Sequence, residues 1–175
     1  LLSRASRINQ ARVHTGFHYP RSALTAVKST ILHQLFMKDF SEAIFDDFRM
    51  LYAIARRKSK VSAKRFYRMF RDIGAPIQIA PVSDTKLFNK SLIEATFTCR
   101  EAAFDYSILE KLIRKRLASA DIEVRLSTEL TDLTETENGI IGKLSDGSTL
   151  SARYAFNVTY SQLNDVLQKA KNTKH

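Results

Sequence analysis

The stretch SRINQARVHTGFHYPRS, residues 6–22, crowds together the side chains best suited to chemistry: His14 and His18, Arg7, Arg12 and Arg21, Asn9 and Gln10. An imidazole can ligate a metal or move a proton near neutral pH. A guanidinium can clamp a carboxylate or phosphate through two parallel hydrogen bonds. The stretch has neither a helical nor a strand period, so it reads as a loop built to grip something. His14 and His18 stand four apart, which on a helix would place two metal ligands on one face. Gly16 between them, Tyr19-Pro20 after them and the lack of a nearby carboxylate argue against that, and no metal is expected. No Gly-x-Ser-x-Gly elbow supports a hydrolase. No Gly-x-Gly-x-x-Gly or Gly-Lys-Ser/Thr loop is present among the five glycines, so the usual helix-N-terminus grip on a pyrophosphate is missing from this chain.

The totals bound what can hold such a loop. With 175 residues, 44% hydrophobic and 10% aromatic, the chain can bury a core and is no disordered segment. No apolar run is long enough to cross a bilayer. The one cysteine, Cys99, cannot close an intramolecular disulfide and fits a reducing compartment, so the expected location is cytoplasmic. A formal charge of +10 admits nucleic acid, an anionic membrane, or an anionic cofactor or partner. Its densest part is Arg56, Arg57, Lys58, Lys60, Lys64, Arg65, Arg68 and Arg71. On a helix opening near Ser62, Lys64, Arg68 and Arg71 form one stripe, and Phe66, Met69, Phe70 and Ile73 the opposite one. That is first a solvated helix face. With no zinc-finger spacing or RNA-binding aromatic motif beside it, nucleic acid is not the expected partner.

The elements that must position the loop fall in three zones. Pro20 holds Tyr19 extended, and Ser22 can cap a helix from Ala23 to about Met37. From Ser41, apolar residues Ile44, Phe45, Phe48, Leu51, Tyr52 and Ala55 recur at helical spacing. The Ser62 helix follows, closed by Gly74 as a left-handed cap with Pro76 beyond. Ile93, Ala95, Phe97 and Cys99 then alternate with polar residues, giving a strand with Cys99 as a buried structural thiol. In the third zone Asp105 caps a helix whose apolar side is Ile108, Leu109, Leu112, Ile113 and Leu117. The run IEVRL reads as a strand. Asn138-Gly139 and Asp146-Gly147 mark two hairpin turns around a strand near Ile140 to Leu144. YAFNV alternates as a further strand, and Leu163, Val166 and Leu167 open a last amphipathic turn. The polar tail from residue 169 is expected to fray.

At this point ASRINQARVHTGFHYPRS resembles the segment that follows the second FAD-binding strand in the D-amino-acid oxidase-like superfamily of FAD-dependent oxidoreductases. Hydroxyglutarate oxidases of that group carry a comparable Asn, then a His, a small residue, Gly and Tyr, matched here by Asn9, His14, Thr15, Gly16 and Tyr19. The resemblance implies that Ser6, Asn9, Gln10 and Arg12 face the phosphates and ribityl chain of FAD. It puts His14, Thr15 and Gly16 near the flavin ring. The run of helix, strand, meander and strand in the third zone is similar to the same superfamily. It maps adenine contacts near Glu129 and Leu130, and pyrophosphate contacts near Asn157, Thr159 and Tyr160. Where relatives often have Gly after Asn-Ala-Thr, this chain has Tyr160.

The expected fold is therefore α/β (α+β): part of an FAD-binding, glutathione-reductase-like fold with its β-meander, plus part of a helical and stranded substrate or cap domain. Residues 1–22 are the flavin-facing segment, 23–101 the partial cap, 102–168 the FAD-binding segment and 169–175 the tail. The family's first strand with its Gly-rich turn and its closing segment are not found, so the chain is expected to be an interior piece that binds FAD poorly by itself. The expected function is that of an FAD-dependent oxidoreductase, or part of one, oxidising a small amino- or hydroxy-acid-type substrate by hydride transfer to flavin. His18, Tyr19 and Arg21 are the candidates to hold that substrate, and no catalytic base is named. The missing remainder of the parent chain, or a second copy, is the other expected partner. The alternative is a non-catalytic basic module that contacts nucleic acid or an acidic partner.

Overall fold

The computed structural model describes residues 1–171. The chain divides into two compact units, Leu1–Asp121 and Ile122–His175. The first holds α1 (Ala5–Ile8), β1 (Arg12–Val13), α2 (Ala23–Asp39), β2 (Ile44–Phe45), β3 (Met50–Ala55), α3 (Ala63–Asp72), β4 (Ile77–Ile79), α4 (Val82–Thr85), β5 (Ile93–Cys99), β6 (Ala102–Phe104) and α5 (Tyr106–Ser119). Two three-stranded antiparallel sheets run through it, in the orders β1-β6-β2 and β3-β5-β4.

Helix starts follow their capping residues. The Ser22 hydroxyl accepts the Thr25 N–H, the Ser62 hydroxyl accepts the Arg65 N–H, and the Asp105 carboxylate accepts the N–H groups of Ser107 and Ile108. Gly74 takes the left-handed conformation just beyond α3. On α3 the expected split holds: Phe66 and Phe70 are fully buried, while Lys64, Arg68 and Arg71 are exposed. Those two rings pack with Phe17, Ile54, Ile77, Phe97 and Cys99 into one core. Cys99 is the buried thiol its alternation implied, and burial pushes its pKa up to about 12, favouring the thiol over the thiolate.

The helix expected from Ser41 is not formed. Ser41–Ala43 make one tight turn, and β2 and β3 follow. β3 pairs with β5 from Met50–Cys99 to Ala55–Ile93, with a bulge between Ile54 and Ala55. The six-residue ladder, with Tyr52 and Ile54 directed at the core, overrides a spacing of apolar residues that suits either period.

The second unit is a sheet in the order β10-β7-β8-β9, made of β7 (Leu130–Thr136), β8 (Gly139–Leu144), β9 (Thr149–Ala152) and β10 (Ala170–Lys171), with α6 (Leu163–Lys169) preceding β10. The two Asx-Gly turns connect β7 to β8 and β8 to β9 as expected, and the β10–β7 pair is parallel. Two expected strands are absent. IEVRL leaves Ile122, Val124 and Leu126 41–57% exposed, and YAFNV leaves Tyr154, Phe156 and Val158 76–87% exposed. Neither run has a ladder partner among the described residues, and alternation without a neighbouring strand leaves the backbone irregular. From residue 172 the expected tail lies outside the described residues, as do the side chains of Val166 and Leu167.

Candidate functional site

The opening loop converges on a residue that the sequence reading did not single out. β1 pairs with β6 so that Arg12 faces Ala103 and Val13 faces Ala102. One step further along that register lies His14 across from Glu101. Glu101 is 1% exposed, and its Oε1 accepts the Thr15 N–H at 3.3 Å. Arg12 Nη1 stands 3.5 Å from Oε2, and His14 Nδ1 stands 3.6 Å from Oε1. A buried carboxylate needs such company, since a charge removed from water without partners is strongly disfavoured.

Arg12 connects this carboxylate to the rest of the loop. Its Nη2 donates to Gln10 Oε1 at 2.7 Å and lies 3.1 Å from His18 Nε2. The Tyr52 hydroxyl, from β3, is 3.0 Å from the same nitrogen. Since Arg12 can only donate, His18 Nε2 is an acceptor here, and the ring proton belongs on Nδ1. The His18 pKa is lowered, first by burial and then by the neighbouring His14, which favours the same neutral ring. Burial and the Glu101 charge push the Tyr52 phenol well above its ordinary range, so it remains a donor. The rings of His14 and His18 meet edge to face at 4.4 Å between centroids.

Two contacts hold the loop in place. Phe17 is 1% exposed and packs against Tyr52 and Phe70, so one aromatic anchors an otherwise polar segment in the core. Gly16 has φ +100, and a Cβ there would lie 2.7 Å from the carbonyl oxygen of Ala26. Glycine lets α2 approach the loop backbone to backbone. Thr30, one turn further along α2, donates to the Thr15 carbonyl at 2.9 Å. A cleft of about 610 Å³ is lined by Thr15, Thr30, His33, Arg100 and Glu101, among others. Within it the buried His33 Nε2 has no hydrogen bond, and burial lowers the pKa of that ring.

Of the residues selected from sequence, Gln10, Arg12, His14, Thr15 and His18 are thus gathered around Glu101. Asn9 and Arg21 are exposed, Tyr19 is 45% exposed, and Ser6 is half-buried on α1. Leu130, Thr159 and Tyr160 belong to the second unit. There Leu130 and Thr159 line one open cleft of about 680 Å³, together with Thr128, Glu129, Ser145 and Gln162. The Asn157 carboxamide oxygen accepts both the backbone N–H and the hydroxyl of Thr159, fixing that turn. Tyr160 is 95% exposed at φ +58, the left-handed conformation that glycine adopts without strain. Glu101 and Tyr52 escaped the sequence reading. The first is visible only through the β1–β6 register, and the second only once residues 50–55 are known to be a strand.

The two units define a mixed α/β architecture of helices and three small sheets. One solved structure that shares it is the crystal structure of glycine oxidase from Geobacillus kaustophilus, with a TM-score of 0.70 and 17% sequence identity. The likeness covers 95% of this chain and 49% of that one, so this chain spans about half the length of that oxidase. At that identity the likeness is one of fold. No family model matches the chain, and no curated protein matches it. No helix among the described residues is long and apolar enough to cross a membrane.

Proposed function

We propose that this chain is a portion of an FAD-dependent oxidoreductase, acting on a small amino- or hydroxy-acid-type substrate. The observation that carries the reading is the fold shared with an oxidase along 95% of the chain. The resemblance of residues 5–22 to a flavin-facing segment supports it, and so does the gathering of Leu130 and Thr159 on one cleft. FAD, when bound, would accept a hydride from a C–H beside an amine or hydroxyl. Gln10 and Arg12 would hold its polar chain, with Ser6 and Asn9 preceding them, and His14, Thr15 and Gly16 would lie along its ring. Leu130, Thr159 and Tyr160 would serve the adenosine and pyrophosphate end.

This chain's own chemistry is binding and orientation. Glu101 fixes Arg12 and the Thr15 backbone, and Arg12 and Tyr52 fix the neutral His18 ring. His18, with Tyr19 and Arg21 on the exposed side of the loop, would meet a substrate carboxylate. The exposed apolar runs 122–126 and 154–158 favour a further partner, either more of the parent chain or a second copy, supplying the missing strands. A cytoplasmic setting belongs to the same proposal, resting on the lone buried Cys99.

The test is a titration of the purified chain with FAD, followed by flavin fluorescence at low and high salt. The proposal expects saturable quenching with little salt dependence, and loss of the cofactor on gel filtration. Absence of saturation would defeat it. Binding that collapses with salt, and that a simple polyanion reproduces, would favour a basic module acting through the exposed cations of residues 56–71 instead.

A further inference from the structure

We infer that His14, His18 and Glu101 form a binding site for a divalent first-row transition ion of the Zn(II) or Fe(II) class. One ligating atom from each of the three lies within 4.8 Å of the other two. Sequence spacing argued against this site because the third ligand is 83 residues beyond His18, and only the pairing of β1 with β6 brings it in.

Three features distinguish this group from an ordinary buried polar cluster. First, His14 Nδ1 and Glu101 Oε2 are buried and lack hydrogen bonds, although each lies close to polar neighbours. Second, His14 Nδ1 and Glu101 Oε1 are 3.6 Å apart. That is too long for a hydrogen bond, yet it suits two ligands of a single ion with metal–ligand distances of about 2.1 Å. Third, two imidazoles and one carboxylate are a donor set that borderline divalent ions accept, with room left for water or an anion. The His14 side chain is 33% exposed and His18 is exposed, so an ion can enter from solvent.

The surroundings supply both support and competition. The Thr15 N–H holds Glu101 Oε1 in place, orienting the carboxylate as outer partners of a metal ligand do. Arg12 is the competitor, because its guanidinium lies beside both Glu101 Oε2 and His18 Nε2. An arriving cation must displace both Arg12 and the Tyr52 hydroxyl from His18 Nε2. Gln10 Oε1, already bonded to Arg12 Nη2, keeps a place for the displaced guanidinium.

The site needs no flavin, so it is tested on the cofactor-free chain. Co(II) is titrated and followed by its visible absorption, and Zn(II) is then used to displace it. The expected result is one equivalent of Co(II) with the intense bands of a low-coordinate site, displaced by Zn(II). His18→Ala changes an exposed side chain and should keep the fold, checked by circular dichroism. It should weaken Co(II) binding at least tenfold, as should Glu101→Gln, whereas His33→Ala should leave affinity unchanged. Arg12→Gln should tighten it. Absence of bound Co(II), equal affinity in wild type and His18→Ala, or loss of binding only in His33→Ala would each overturn the proposal. Co(II) uptake is read without FAD and flavin quenching is read without metal, so the two readings can fail separately.

Discussion

The two units use their apolar residues in opposite ways. In Leu1–Asp121 the aromatics converge: Phe17, Phe66, Phe70 and Phe97 are all at most 4% exposed, and a polar loop is moored to them through Phe17. In Ile122–His175 the meander is well formed, yet Tyr154, Phe156 and Val158 stand at least 76% exposed. Both regions are rich in apolar alternation. What separates them is whether a neighbouring strand exists: β5 has β3 on one side and β4 on the other, whereas residues 122–126 and 154–158 have no ladder partner among those described. Alternation specifies a strand only together with the partner that satisfies its backbone.

Paired substitutions sharpen that contrast. Phe66→Ala should cost about 3–5 kcal/mol, because a buried ring is removed and a cavity remains. Phe156→Ala should change stability by no more than about 0.5 kcal/mol. Urea denaturation of both variants checks the pair, and a large effect at Phe156 would mean that its run is covered in solution.

Two glycines make the next comparison. Gly16 and Gly147 both have positive φ, but only Gly16 faces backbone, whereas nothing lies within 4 Å of a Cβ at Gly147. Gly16→Ala should therefore lose roughly 2–4 kcal/mol from backbone conformation and clash together, against about 1 kcal/mol for Gly147→Ala. Equal losses would show that α2 can retreat from the loop. In the opposite direction, Tyr160→Gly should stabilise the chain by about 1 kcal/mol, since Tyr160 occupies a left-handed conformation with an exposed ring.

The smallest effect is in pH. The pKa values of His18 and His33 are both lowered in the folded chain, so their contribution is fully present above the unfolded value of 6.5. It is lost as the pH falls from there through the lower folded values. Melting temperatures between pH 5 and 8 should decline on the acid side, and the decline should flatten in a His18→Asn, His33→Asn double variant. An unchanged slope would assign the pH dependence to other groups.

Capping residues, turn signals and α3 amphipathicity were legible in the sequence because each is set within a few neighbouring residues. Ser22, Ser62, Asp105, Asn138-Gly139 and Asp146-Gly147 all act locally. Residues 44–55 were not legible, since their spacing satisfies two periods and only pairing with β5 chooses between them. The candidate site divides in the same way. Its loop half, Gln10 to His18, was marked by composition, while Glu101 and Tyr52 join it through strand pairings that join distant parts of the chain.

The flavin reading is tested most directly by amide NMR shifts of the labelled chain on addition of FAD. Saturable shifts are expected in Gln10–Gly16 and around Leu130 and Thr159. Shifts confined to Lys64, Arg68 and Arg71 on α3, or none at all, would contradict it.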